Sequence, residues 1–75
     1  MRKKLSELKP GESARIVQID PSVKSRIAGM GMRVGEKVKL ASRQPFRGPL
    51  VVVVKGRETS LGKSLASLIV VEVKE

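Results

Sequence analysis

Cations dominate the chemistry open to this chain. Between Pro21 and Arg57 stand nine basic residues, Lys24, Arg26, Arg33, Lys37, Lys39, Arg43, Arg47, Lys55 and Arg57, against one acid, Glu36, so +8 of the formal net charge of +9 falls in that segment. Such a density favours acidic partners: nucleic acid, an anionic membrane surface or an acidic protein face. The other reactive types are sparse. The chain has no His and no Cys, which removes a catalytic triad, an imidazole base, a thiolate nucleophile and the usual soft ligands for transition metals. The carboxylates Glu7, Glu12, Asp20, Glu36, Glu58, Glu72 and Glu75 are scattered singly, without the dense acidic spacing of a calcium loop. The expectation is a protein without catalysis, cofactor or metal site of its own. Trp and Tyr are absent and Phe46 is the one aromatic residue. That takes away the stacking platforms of RNA and single-strand binders and the aromatic groove that holds Pro-rich peptides.

The candidate docking residues gather on one helix, its end and one loop. Lys24 and Arg26 accompany Val23, Ile27 and Met30, which repeat at helical spacing. Met30-Gly31-Met32-Arg33 forms the corner that follows, and Arg43 to Gly48 is a loop carrying Phe46 and Arg47. Together Lys24, Arg26, Met30, Met32, Arg33, Arg43, Phe46 and Arg47 are expected to form a basic face for an acidic surface near the inner membrane leaflet. A solvated, solubilising surface is the competing reading of the charges. Met30 and Met32 are open to two roles, adaptable partner contacts or packing at the helix end. Phe46 is either an interaction anchor or a cover folded back over the barrel mouth.

The elements that position these residues are short. The 75 residues suit a single domain spanning 1–75. Leu5 and Leu8, three apart, predict one turn of helix as a cap before Lys9-Pro10-Gly11-Glu12 turns the chain. Ser13 to Ile19 is rich in β-branched residues and predicts a strand, although its alternation assigns no clean interior face. Asp20-Pro21 supplies an N-cap and a first-turn proline, and Gly31 is placed to end the helix in the left-handed conformation. Val38 and Leu40 alternate with lysines, Leu50 to Val54 is wholly apolar, Lys55-Gly56 marks a hairpin, and Ile69, Val71 and Val73 form a last alternating strand after a short helical turn within 62–68. Gly31 and Gly35 read as conformational glycines. Five strands with one or two short helices are expected to curl into a small, partly open, mainly β barrel. The run Leu50 to Val54 is far short of the ~20 apolar residues that cross a bilayer. Met1-Arg2-Lys3-Lys4 lacks the apolar stretch of a signal peptide behind it and reads as a solvated end, with the cytoplasm as the default location.

The residues also carry a family resemblance. Leu5-Ser6-Glu7-Leu8-Lys9-Pro10-Gly11-Glu12, Ile27-Ala28-Gly29-Met30-Gly31-Met32-Arg33-Val34-Gly35, Pro45-Phe46-Arg47-Gly48-Pro49, and Gly56 with Ala66-Ser67-Leu68-Ile69-Val70-Val71-Glu72 resemble, in order and spacing, the ferrous iron transport protein A (FeoA) family. Two departures stand out. Gly62 occupies the place where the family usually shows an arginine after the hairpin, and Asp20-Pro21-Ser22 replaces a frequent glycine after the first strand. The resemblance implies an SH3-like small barrel and a non-catalytic, cytoplasmic accessory role. The implied partner is the membrane-embedded ferrous iron transporter FeoB, with contact to the membrane through that partner. The runner-up is a sequence-independent nucleic-acid binder, favoured by the charge and opposed by the missing aromatics. Self-association is left open by the apolar hairpin.

Overall fold

The computed structural model describes residues 1–44 and 48–74; Pro45, Phe46, Arg47 and Glu75 lie outside the described residues. Strand β1 (Arg2–Lys4) leads into a 3₁₀ turn (Leu5–Glu7) and β2 (Ser13–Ile19). A second 3₁₀ turn (Pro21–Val23) opens α1 (Lys24–Gly29), after which β3 (Lys37–Arg43), β4 (Leu50–Val54), β5 (Arg57–Leu61), α2 (Lys63–Ala66) and β6 (Ile69–Glu72) complete the chain. The strands form one antiparallel sheet in the order β1-β6-β2-β3-β4-β5. The sheet coils without closing, which is the mainly β, partly open small barrel expected from the strand pattern, SH3-like as the family resemblance implies.

Local chemistry sets the turns. Lys9-Pro10-Gly11-Glu12 puts proline at the second position and Gly11 at φ 89° at the third, a type II arrangement closed by the Glu12 N–H donating to the Lys9 carbonyl at 2.9 Å. Val54 pairs with Arg57 across Lys55-Gly56, whose φ values of 54° and 76° are those of a two-residue type I′ hairpin. Irregular pairing does the bending. The β2–β6 register skips Val17 and the β3–β4 register skips Ala41, and such bulges raise the local twist so that a sheet can curl. The core fills the concave side with Leu5, Leu8, Ile16, Ile27, Met32, Val38, Leu40, Leu50, Val52, Leu61, Ile69 and Val71, all nearly or fully buried.

The strand count differs from the five expected. Arg2–Lys4 is a sixth strand rather than a solvated end, pairing Arg2 with Glu72, Lys3 with Val71 and Lys4 with Val70. No apolar alternation announces it, because its side chains make ion pairs instead. Glu72 takes the terminal ammonium and the Arg2 guanidinium, and Lys3 Nζ sits 2.9 Å from Glu12 Oε1. The Val73 N–H donates to the Met1 carbonyl at 2.7 Å.

These carboxylates couple the fold to pH. The Lys9 N–H first, then the Lys3 ammonium, hold the Glu12 carboxyl below the usual range; the terminal ammonium and then Arg2 do the same for Glu72. A depressed folded-state pKa adds stability above the unfolded pKa and loses it as pH falls through the folded value. Thermal melts should therefore shift downward on acidification from about pH 5 to about pH 3. Glu12→Gln should flatten that dependence without abolishing it, since Glu72 and Asp20 act with the same sign. An unchanged pH profile in this variant would refute the assignment.

Candidate docking site

The 3₁₀ turn that leads into α1 owes its start to Asp20, whose Oδ1 accepts from the Ser22 N–H at 2.9 Å and the Ser22 hydroxyl at 2.6 Å. The Ser22 hydroxyl, then the Ser22 amide, lower the Asp20 pKa by bonding its charged form. Pro21 follows, where a missing N–H costs nothing. The helix turns Ile27 inward and leaves Lys24 and Arg26 exposed. Met30, Gly31 and Met32 then fold back on it: the Met30 and Met32 amides both donate to the Ile27 carbonyl, at 3.0 and 3.2 Å, and Gly31 takes φ 84°. The next turn is pinned to β2. The Gly35 N–H donates to Ile16 at 2.8 Å, the Ile16 N–H donates to Glu36 at 2.9 Å, and Arg15 Nη1 donates to the Gly35 carbonyl at 2.6 Å. A rigid base thus presents Arg33 and Val34, the latter 56% exposed.

Of the residues singled out from sequence, Lys24, Arg26 and Arg33 are exposed on α1 and the corner after it, with Met30 half-buried between them in the chain. Among the described residues none of the three cations has a carboxylate within ion-pair distance. Two others are engaged within the fold. Met32 has no exposed surface and belongs to the core, because the left-handed Gly31 reverses the chain and drives the side chain inward; of its two open roles, packing is the one it fills. Arg43 is tied down: its Nη2 donates to the Ser6 and Leu8 carbonyls, each at 2.6 Å. These belong to the N-terminal 3₁₀ segment, which packs with α2 and β6. Phe46 and Arg47 lie outside the described residues.

Other surface features lie outside the candidate docking residues. Val34 has no periodic partner to mark it. Lys37 and Lys39 alternate outward on β3, opposite Arg15 and Ser13 of β2; the alternation is visible in the sequence, but the cross-strand neighbours are not. Lys55 is neutralised by Glu36 at 3.2 Å. Among the described residues no group of three or more acidic side chains comes together as a metal site would require, and no helix is long and apolar enough to cross a membrane.

Comparison with known proteins agrees with the fold. The FeoA domain family model matches residues 3–73. A protein of Methanocaldococcus jannaschii, provisionally named Fe(2+) transport protein A, is 33% identical over 70 residues, covering 91% of this chain and 83% of that protein. A crystal structure described as iron uptake regulatory protein (FeoA) superposes with TM-score 0.86 at 29% identity over 96% of both chains. The FeoA-like protein of Clostridium acetobutylicum does so with TM-score 0.89 at 28% identity over 99% of this chain and 88% of that one. With the family match running from Lys3 to Val73 and two solved relatives sharing the whole barrel, the chain belongs to the FeoA family.

Proposed function

We propose that this chain is a non-catalytic accessory protein of ferrous iron uptake that works on the cytoplasmic side of the membrane. It docks through α1 and the following corner on the cytoplasmic region of a FeoB-type ferrous iron transporter. The observation that carries this reading is the set of un-neutralised cations, Lys24, Arg26 and Arg33, exposed on α1 and on the following corner, which carries half-buried Met30 and exposed Val34 and is pinned to β2 at Gly35 and Glu36. The name of the M. jannaschii relative supplies the iron. Physically, the excess charge steers an acidic surface toward the corner, and the apolar pair gives it a desolvated contact once there. Iron is the transporter's cargo in this scheme, and the accessory chain acts on the transporter.

The test is calorimetric titration against the soluble cytoplasmic region of the cognate transporter, with duplex DNA in parallel at ~150 mM salt. Reversing Lys24, Arg26 and Arg33 together to Glu should weaken transporter binding roughly tenfold, from three exposed pairs at ~0.2–1 kcal/mol each, and leave the melting temperature nearly unchanged. Unchanged affinity in that variant would remove the proposed face. Binding to DNA alone, falling with salt at a slope near −0.9 per phosphate contact, would replace the transporter with nucleic acid.

A further inference from the structure

The sheet has two edges, and they differ in how they meet solvent. The β1 edge is three residues long and wholly cationic, Arg2-Lys3-Lys4, which is one way natural sheets discourage pairing. The β5 edge is five residues, Arg57-Glu58-Thr59-Ser60-Leu61, without proline, and its register with β4 runs unbroken from Leu50–Leu61 to Val54–Arg57. The two-residue hairpin makes Val54 and Arg57 a hydrogen-bonded pair. By alternation Arg57, Thr59 and Leu61 turn their N–H and C=O groups to β4, while Glu58 and Ser60 turn theirs outward. Among the described residues no turn, loop or side chain takes up those outward groups.

A groove of about 500 Å³ lies beside this edge, between Ala28–Gly31 at the end of α1 and Arg57–Thr59. Half-buried Met30 and Thr59 give it an apolar and hydroxyl lining, and Val54 also borders it. Arg57 is exposed and has no carboxylate within ion-pair distance among the described residues, whereas neighbouring Lys55 is already paired with Glu36. Glu58 also borders the groove, and by alternation along the strand its side chain turns to the sheet face opposite Arg57 and Thr59.

We propose that β5 and this groove form a docking edge for an extended acidic segment of a partner protein, added as a seventh, antiparallel strand. Main-chain bonds to Glu58 and Ser60 would supply affinity, and alternate side chains entering the groove would supply selectivity. The segment places an acid opposite Arg57 and small β-branched side chains opposite Thr59 and Leu61. Charge favours this occupant over a second copy. Two chains at +9 repel. An antiparallel β5–β5 pairing through Glu58 and Ser60 would also set Arg57 against Thr59, Leu61 or Lys63 of the other copy, never an acid. The edge belongs to this chain's own fold and does not rest on the transporter as the partner.

The probe is a hexapeptide, Thr-Val-Thr-Val-Thr-Glu, blocked at both ends and titrated into the full ¹⁵N-labelled chain by NMR. Expected are saturable shifts along Arg57–Leu61 and Ala28–Gly31, with slowed hydrogen exchange at the Glu58 and Ser60 amides. Ser60→Pro removes an outward N–H at a position where an edge strand tolerates proline, and should weaken binding about tenfold while the spectrum elsewhere stays native. Arg57→Glu, at an exposed side chain, should invert the preference between this peptide and one ending in Lys. Absence of saturable binding, shifts confined to other surfaces, or wild-type affinity in both variants would overturn the proposal. A concentration-dependent dimer abolished by Ser60→Pro would also overturn it, by giving the edge to a second copy.

Discussion

Met32→Ala is expected to lower the unfolding free energy by about 2–5 kcal/mol, the range for truncating a buried Met, Leu or Ile. The side chain has no exposed surface and sits in the core cluster with Ile27, whose carbonyl accepts from the Met32 N–H at 3.2 Å. A chain of this length has roughly 4–11 kcal/mol of total stability at ~0.05–0.15 kcal/mol per residue. The loss is therefore a large part of the whole, and the variant should unfold at much lower urea. Met30→Ala is the control, since Met30 is half-buried and packed on the rim of the same cluster; it should cost less stability and reduce partner affinity more. If Met32→Ala kept its urea midpoint and instead lost affinity, Met32 would belong to the docking surface.

The sequence foretold the elements whose signal is local. Asp20-Pro21 marks the start of the helical segment, Lys55-Gly56 the hairpin, and the β-branched run Leu50 to Val54 the central strand, because capping, left-handed turns and pleated packing each act within a few residues. β2 showed no clean face for a reason the pairing explains: Ala14 and Ile16 keep the period of two, Val17 is the bulged residue, and Ile19 returns to the interior one position late. β1 has no local signal because its pairing comes from β6 and from Glu72 and Glu12, far along the chain or across the sheet. The candidate site divides the same way. Helical spacing suffices to expose Lys24 and Arg26, but the burial of Met32 depends on how the corner after Gly31 returns to the core. The free edge of β5 is a property of strand order, which no local pattern carries.

Arg43 is the sharpest case, and Arg43→Ala is expected to destabilise the chain by roughly 1–3 kcal/mol, the range for hydrogen bonds to a charged group with carbonyls left without a partner. A 3₁₀ turn of three residues leaves its last carbonyls unpaired within the turn. Both hydrogens of one guanidinium nitrogen are spent on the Ser6 and Leu8 carbonyls at 2.6 Å, which clamps the end of β3 to the segment that carries fully buried Leu5 and Leu8. Arg43→Lys keeps the charge but loses the planar fork, so it should recover only part of the stability. A surface contact for a partner would behave in the opposite way: both variants would keep the wild-type unfolding midpoint and lose affinity. The distinction bears on any docking experiment, because reversing the charge at Arg43 would loosen the N-terminal cap and imitate a lost interface. The proposed docking face is for that reason tested with Lys24, Arg26 and Arg33, whose guanidinium and ammonium groups make no hydrogen bond or ion pair within the described fold.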